Sequence, residues 1–414
     1  MQNTCEALSI EAQMILLCAR AVLADFDRKR LSQLLALRPK WTTVLDLADR
    51  HGLTPLLYRH LELATPDSVP PNVLAHLAHS AKHIAKHNFL LAAELLKLTT
   101  VFAAQEIPFQ TYKGPTLAMQ ALNSLSDRVF VDLDLVLDER DVAKAQGALL
   151  DAGYTPEPRR SLPFTEKFMF SPMFRRLAHE QSFSRRLART DQELSFVIDL
   201  HWRATENSLK NIESAVLVQN KEMIDVCRHE VPGFKKELLL LLLLEHGTKH
   251  RWSELKWLVD IAQILSRTPD FDWDKLYALG ASIGIKRKID LALLICLNSI
   301  GCASIPEDIC TRIRADRVLQ QLCSYTVSTW FSKKGTDHSL RAYMRYHALT
   351  FDSKQHSLTF LVREFFSPTV PTYLAVPLPG WLFCLYYVIH PCLTVFQFFE
   401  ARLNRSQEYA QGVS

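Results

Sequence analysis

RVFVDLDLVL, residues 128–137, sets two aspartates, Asp132 and Asp134, two positions apart in a run of valine, leucine and phenylalanine. Period-two alternation predicts a strand, so both carboxylates project from one face while Leu133 and Leu135 enter the layer behind it. Carboxylates held that close repel each other, and a divalent cation bridging them relieves the repulsion. Hard oxygen ligands of this kind suit Mg2+ or Mn2+. Downstream, FVIDLHW (196–202) places Asp199 in phase with Val197 and His201 on a second expected strand. Three acids on adjacent strands can hold two metal ions, an arrangement that activates a hydroxyl and neutralises charge on a transferred phosphoryl group. An Asp-x-Asp pair alone is weak evidence, since solvent-facing acidic pairs are common; the combination carries the reading.

Upstream, IPFQTYKGPT (107–116) alternates at Ile107, Phe109 and Thr111, breaks at Gly114 and places Pro115 in the first turn of a helix. Free backbone N–H groups at that helix start, with Lys113 and Gly114 in the turn and the Thr116 hydroxyl nearby, form a receptor for a triphosphate. Asp138 to Ala152 reads as a helix closed by Gly153. HEQSFSRRLART (179–190) and ELSFVIDLHW (193–202) read as an antiparallel pair joined at Thr190-Asp191-Gln192, which makes a mixed sheet spanning about residues 107–203.

Helical periodicity flanks the sheet on both sides. The expected fold class is α+β, a small mixed-sheet core with N-terminal and C-terminal helical regions: residues 1–104 helical, 105–232 the core, 233–350 helical, 351–414 an apolar helical segment and tail. Leu238 to Leu244 is expected as a helix buried on all sides. WLFCLYYVIHPCLTVFQFF (381–399) approaches the ~20 apolar residues of a membrane span. Pro391, beside His390 and followed by Gln397, instead favours an element packed on the protein, with peripheral membrane contact as the next reading.

The chain has 414 residues, and its 48 basic and 44 acidic side chains leave a charge of +4. No global field marks a nucleic-acid binder, so a nucleic-acid partner is not favoured and any basic site is local. Nine cysteines without a CxxC pair suit reduced thiols in the cytoplasm, and the N-terminus lacks the basic leader and continuous apolar core of a signal peptide.

His246 and His250 stand four apart on a helix, but no HExxH arrangement completes a zinc site. With Lys249 they either line the cleft and meet nucleotide phosphates or make ordinary contacts between helices; Asp260 and Trp257 read as structural. Arg159 to Arg189 mixes arginines, including Arg159, Arg160 and Arg176, and Lys167 with Phe164, Phe168, Phe170 and Phe174. That stretch is either a solvated loop and hairpin with buried phenylalanines or a grip for RNA or an acidic acceptor. No Cys–His or Ser–His–Asp order points to covalent catalysis.

Together, KGPTLAMQAL (113–122), the Arg-x-x-x-Asp-x-Asp of residues 128–134 and VIDLHW (197–202) resemble the uncharacterised bacterial nucleotidyltransferase family related to the polymerase-beta superfamily. HGTKHRWSELKWLVDIAQIL (246–265) and LPGWLFCLYYVIHP (378–391) are similar to it too, so the likeness covers about residues 40–395. The resemblance implies transfer of a nucleoside monophosphate from an NTP, ATP foremost, to a hydroxyl of a protein, a sugar or small molecule, or an RNA end, releasing pyrophosphate. It implies Asp132 and Asp134 as the metal pair, Asp199 as the third carboxylate, Lys113-Gly114 as the phosphate turn and Arg128 beside the metals. Most of the wider superfamily has Gly-Ser in that turn. The Lys-Gly departure keeps a second reading open, a regulatory protein that binds a nucleotide or polyanion without turning it over.

Overall fold

The computed structural model describes residues 8–64, 68–157, 165–187, 194–205, 208–302, 304–332, 337 and 339–396. The two acidic strands lie side by side in a five-stranded sheet of order β1-β2-β5-β4-β3: β1 Gln110–Thr111, β2 Asp132–Val136, β3 Thr155–Pro156, β4 Glu180–Leu187 and β5 Leu194–His201. β2 and β5 are parallel, and the other pairs are antiparallel. The β2–β5 register opposes Leu133 to Ile198, Asp134 to Asp199 and Leu135 to Leu200. Because side chains alternate, one face carries Leu133, Leu135, Phe183, Ile198 and Leu200 and the opposite face gathers the acids.

The apolar face, with Leu133, Leu135, Phe183, Ile198 and Leu200, is buried in a core it shares with α5 (Pro71–Ala104) and α7 (Val142–Asp151). A second core joins the N-terminal helices α1 (Ile10–Cys18), α2 (Asp25–Ala36), α3 (Trp41–Arg50) and α4 (Thr54–Ala64) to helices from the other end of the chain: α11 (Lys236–Lys249), α12 (Lys256–Ser266) and α14 (Lys286–Ser299) among them. Leu238 to Leu244 of α11 are all buried in it, so this seven-leucine run is a helix covered on every side. Leu117 and Ala121 of α6 (Gly114–Leu122) and Val136 at the end of β2 belong to the same core.

The strand expected over 128–137 is shorter than the alternation suggested. Val131 is 63% exposed, and hydrogen bonding begins only at Asp132. The preceding loop is held from behind by Asn88 of α5, whose Nδ2 donates to the carbonyls of Leu125 at 2.6 Å and Arg128 at 2.7 Å.

A two-stranded hairpin, β6 Lys221–Val226 with β7 His229–Phe234, was not anticipated from the sequence. It buttresses the turn between β1 and α6: Thr111 Oγ1 donates to the Pro232 carbonyl at 3.1 Å, and Gln120 Nε2 to that of Phe234 at 3.0 Å. Within the hairpin, Gly233 leaves room for the Ile224 side chain, since a Cβ there would stand 2.8 Å from Ile224 Cγ1.

The remaining helices include α8 (Glu166–Met169), α9 (Pro172–Leu177), α10 (Ser214–Gln219), α13 (Trp273–Ser282), α15 (Glu307–Ala315), α16 (Arg317–Trp330), α17 (Leu340–Leu349), α18 (Lys354–Phe366) and α19 (Val370–Ala375), followed by a 3-10 turn Gly380–Leu385 and a helix over 386–396. Among the described residues, no helix is long and apolar enough to cross a membrane. The Thr190-Asp191-Gln192 turn and Arg159, Arg160, Phe164 and Arg189 lie outside the described residues.

Gly114 opens α6 at φ +63°, and a Cβ there would meet the Asp132 carbonyl at 3.3 Å. Gly114→Ala therefore lowers stability in urea by about 1–2 kcal/mol, the cost of a left-handed residue bearing a Cβ.

Candidate active site

Asp134, 2% exposed, is the centre of the polar face. In register beside it stand Asp199 and then Ser182 of β4, while the next row holds His201 and Glu180. Asp132 lies two residues earlier on the same face. A carboxylate this deep needs compensating charge. Lys113 Nζ and His201 Nε2 each lie 3.0 Å from Asp134 Oδ1. Burial acts to raise the Asp134 pKa, but Lys113 and His201 prevail and hold it well below the usual carboxylate range. In return, burial opposes the Lys113 ammonium while Asp134 holds it above the usual lysine range. Its Nζ also sits 4.6 Å from the Tyr112 ring centroid.

His201 Nδ1 faces Glu180 Oε2 at 3.3 Å, so each ring nitrogen meets a carboxylate. Burial disfavours the charged ring, yet Asp134 and Glu180 raise its pKa above the ordinary value. Asp199 accepts a 2.6 Å hydrogen bond from Ser182 Oγ, while burial and then the Asp134 charge raise its pKa. Burial, followed by the same charge, pushes Asp132 up to about 6.

Asp134 Oδ2 is buried and has no hydrogen-bond partner. Asp134, Asp199 and His201 each offer one ligand atom, all within 4.8 Å of one another. An orphaned carboxylate oxygen, crowded acids with raised pKa values and converging donors fit a divalent cation. Were His201 to hold the cation, Glu180 on Nδ1 would be the carboxylate that orients the ring. His201 had shown in the sequence only as a residue in phase with Asp199; that phase was the signal for its place in the site.

Several expected nucleotide-side residues are otherwise engaged. Arg128 is buried, and its Nε and Nη2 donate to the two carboxylate oxygens of Asp260 at 2.9 and 3.1 Å. The guanidinium is thus turned onto α12 as a buried ion pair, and its influence on Asp132 is electrostatic. The Thr116 hydroxyl is wholly buried, donating to the Lys113 carbonyl at 3.1 Å and lying 2.8 Å from Thr111 Oγ1. It braces the turn from inside, so a hydroxyl turned out to phosphate is not what the fold provides. His246 packs edge-on against Trp257, with ring centroids 5.2 Å apart, and lies 4.6 Å from the His250 ring. Burial, and then the charge on Lys113, keeps His246 neutral. Neither histidine joins a cluster of three metal-ligating groups among the described residues. Lys249 occupies the last turn of α11 between them.

A small mixed sheet with acids on its two central parallel strands, and a strand–turn–helix beside them, defines a nucleotidyltransferase-type core. The sequence profile described as "Uncharacterised nucleotidyltransferase" matches residues 38–299. The chain belongs to that family, and nucleotidyl transfer is the activity that membership supports. No curated protein matches the chain in sequence. Among solved structures, an antigenic nucleotidyltransferase-like protein from Paracoccidioides brasiliensis aligns at 14% identity over 53% of this chain and 96% of its own, with a TM-score of 0.29, too loose a superposition to carry site geometry across.

Arg128→Met strands the buried Asp260 carboxylate, and unfolding in urea is expected to show a loss of about 3–5 kcal/mol; Arg128→Met combined with Asp260→Leu recovers most of it. Asp132 would have to be ionised to hold a metal, and burial and the Asp134 charge push its carboxyl up to about 6. Calorimetric Mn2+ affinity therefore falls about tenfold per pH unit as the pH drops below that value, and Asp132→Asn binds more weakly with a flatter dependence.

Proposed function

We propose that this protein moves a nucleoside monophosphate from an NTP, ATP foremost, to an acceptor hydroxyl, with Mg2+ or Mn2+ held by Asp132, Asp134, Asp199 and His201. The observation that carries this reading is the register pairing Asp134 with Asp199 on a buried face, with one Asp134 oxygen left without a partner. A bound divalent ion supplies Lewis acidity at the reacting phosphate and lowers the repulsion among the carboxylates. The chain's own groups do the rest. The Lys113 ammonium and the free N–H groups at the start of α6 receive triphosphate oxygens, and His246 with Lys249 and His250 forms the facing wall. The acceptor oxygen attacks the α-phosphorus, the bond to the bridging oxygen of the β-phosphate breaks, and pyrophosphate leaves. Asp199 takes the hydroxyl proton; Ser182 fixes its orientation, and its raised pKa favours that role. The acceptor belongs to one of three classes: a protein side chain, a sugar or small molecule, or an RNA end.

One observation favours a second reading, nucleotide or polyanion binding without turnover. The turn has Lys-Gly where most of the wider superfamily has Gly-Ser, and the nearest hydroxyl, that of Thr116, is spent inside the turn.

Pyrophosphate release from each NTP with Mg2+ or Mn2+, with and without cell extract as a source of acceptor, separates the two. Release that falls by about two orders of magnitude or more in Asp134→Ala and Asp199→Ala is the expected result for transfer. Metal-dependent NTP binding without release under any condition assigns the binding role instead.

A further inference from the structure

From Phe365 to Phe399 the sequence contains no Asp, Glu, Lys or Arg. Its inward side chains are anchored on the protein. Tyr373 stacks on Phe168 with ring centroids 4.5 Å apart, Phe383 lies 3.5 Å under the Arg176 guanidinium, and Tyr386 is fully buried. Its outward side chains are large and bare: Trp381 is 79% exposed, Val388 65% and Phe396 64%, with Leu385 and Val395 also exposed. On the helix, Val395 and Phe396 stand seven and eight residues beyond Val388, two turns on, and so share one face with it. α18 adjoins this segment, since His390 bonds the backbone of Glu364. It adds Leu358, Val362 and Phe366, exposed at successive intervals of four. Apolar side chains gathered in this way mark an interaction surface.

At the foot of the face, next to Trp381, lies a cavity of about 580 Å3 lined by Thr165, Lys167, Ser171, Arg176 and Gly380 among others. It presents two cations and, among its described lining residues, no carboxylate. Neither cation is in an ion pair among the described residues.

We propose that this face docks peripherally on an anionic lipid bilayer, with a headgroup phosphate in the Lys167–Arg176 recess. A protein partner calls for a polar rim that supplies hydrogen bonds and register. The 365–399 tract has no charged residue to make one, and the charges of α18, Lys354, Arg363 and Glu364, stand only beside its own apolar stripe. An apolar face edged by Trp and Tyr beside a cationic recess instead matches the layering of a bilayer interface, acyl chains beneath and anionic headgroups above. The described part of this helix, 386–396, is about 16 Å at 1.5 Å per residue and carries its bare apolar side chains along one side, as an element lying in the interface does.

The test is flotation of the full-length protein with vesicles of phosphatidylcholine alone and with added phosphatidylserine. The protein is expected to float with the anionic vesicles. Lys167→Gln and Arg176→Gln each lower the partition about fivefold, the effect of one cation near an anionic surface. Trp381→Glu and Val388→Asp, both at outward positions, abolish flotation while circular dichroism and the thermal transition stay as in the parent protein. Absence of flotation with either vesicle, or flotation unchanged by Trp381→Glu, overturns the proposal. So does a concentration-dependent dimer, seen by sedimentation and broken by Trp381→Glu, in a protein that does not float; that result gives the face to a second copy of the chain.

Discussion

The polar half of this molecule is organised around one buried negative charge. Asp134 is nearly inaccessible to water, and its ionised form survives only because Lys113 and His201 converge on the same oxygen. Lys113 comes from the turn after β1, His201 from the end of β5, and Glu180 of β4 steadies the histidine from the other side. Three strands and a helix start are therefore tied to one carboxylate. Its second oxygen, left without a partner, points to what the site is built to receive.

Around that charge the supporting contacts are directional. Thr116 closes the turn from within, Thr111 and Gln120 fasten it to the β6–β7 hairpin, and Asn88 grips the loop that leads into β2. The Arg128–Asp260 pair lies behind, joining that loop to α12. Site geometry is thus set by neutral and ionic bonds among buried groups, with the sheet's apolar face buried in one core and the leucine run of α11 in the other.

How much of this the sequence disclosed follows from the range of the interactions. Asp132, Asp134 and Asp199 were legible because alternation is local, and the leucine run of α11 because its composition alone demands burial. The β6–β7 hairpin was hidden: its tight turn uses Cys227 and Arg228 at φ +54° and +65°, with neither the Asn nor the Gly that normally announces such a turn, and Pro232 sits within the second strand. Arg128 was expected beside the metals by resemblance, and its pairing with Asp260, 132 residues away, went unread. No periodicity reports a pairing of that separation. The role of Thr116 turned on the same blindness, since a hydroxyl beside a phosphate turn looks identical in sequence whether it faces in or out.

Helix α5 runs 34 residues from Pro71 to Ala104, about 51 Å at the usual rise. Its first turns, with Val73 and Leu77, belong to the core of the helical layers, and its last, from Leu91 to Phe102, to the core beneath the sheet. A continuous helix resists sharp bending, so this rod opposes a hinge between the two cores. The mechanical consequence is that the helical layers and the sheet are coupled along one rod, so a strain set up in one core is passed to the other.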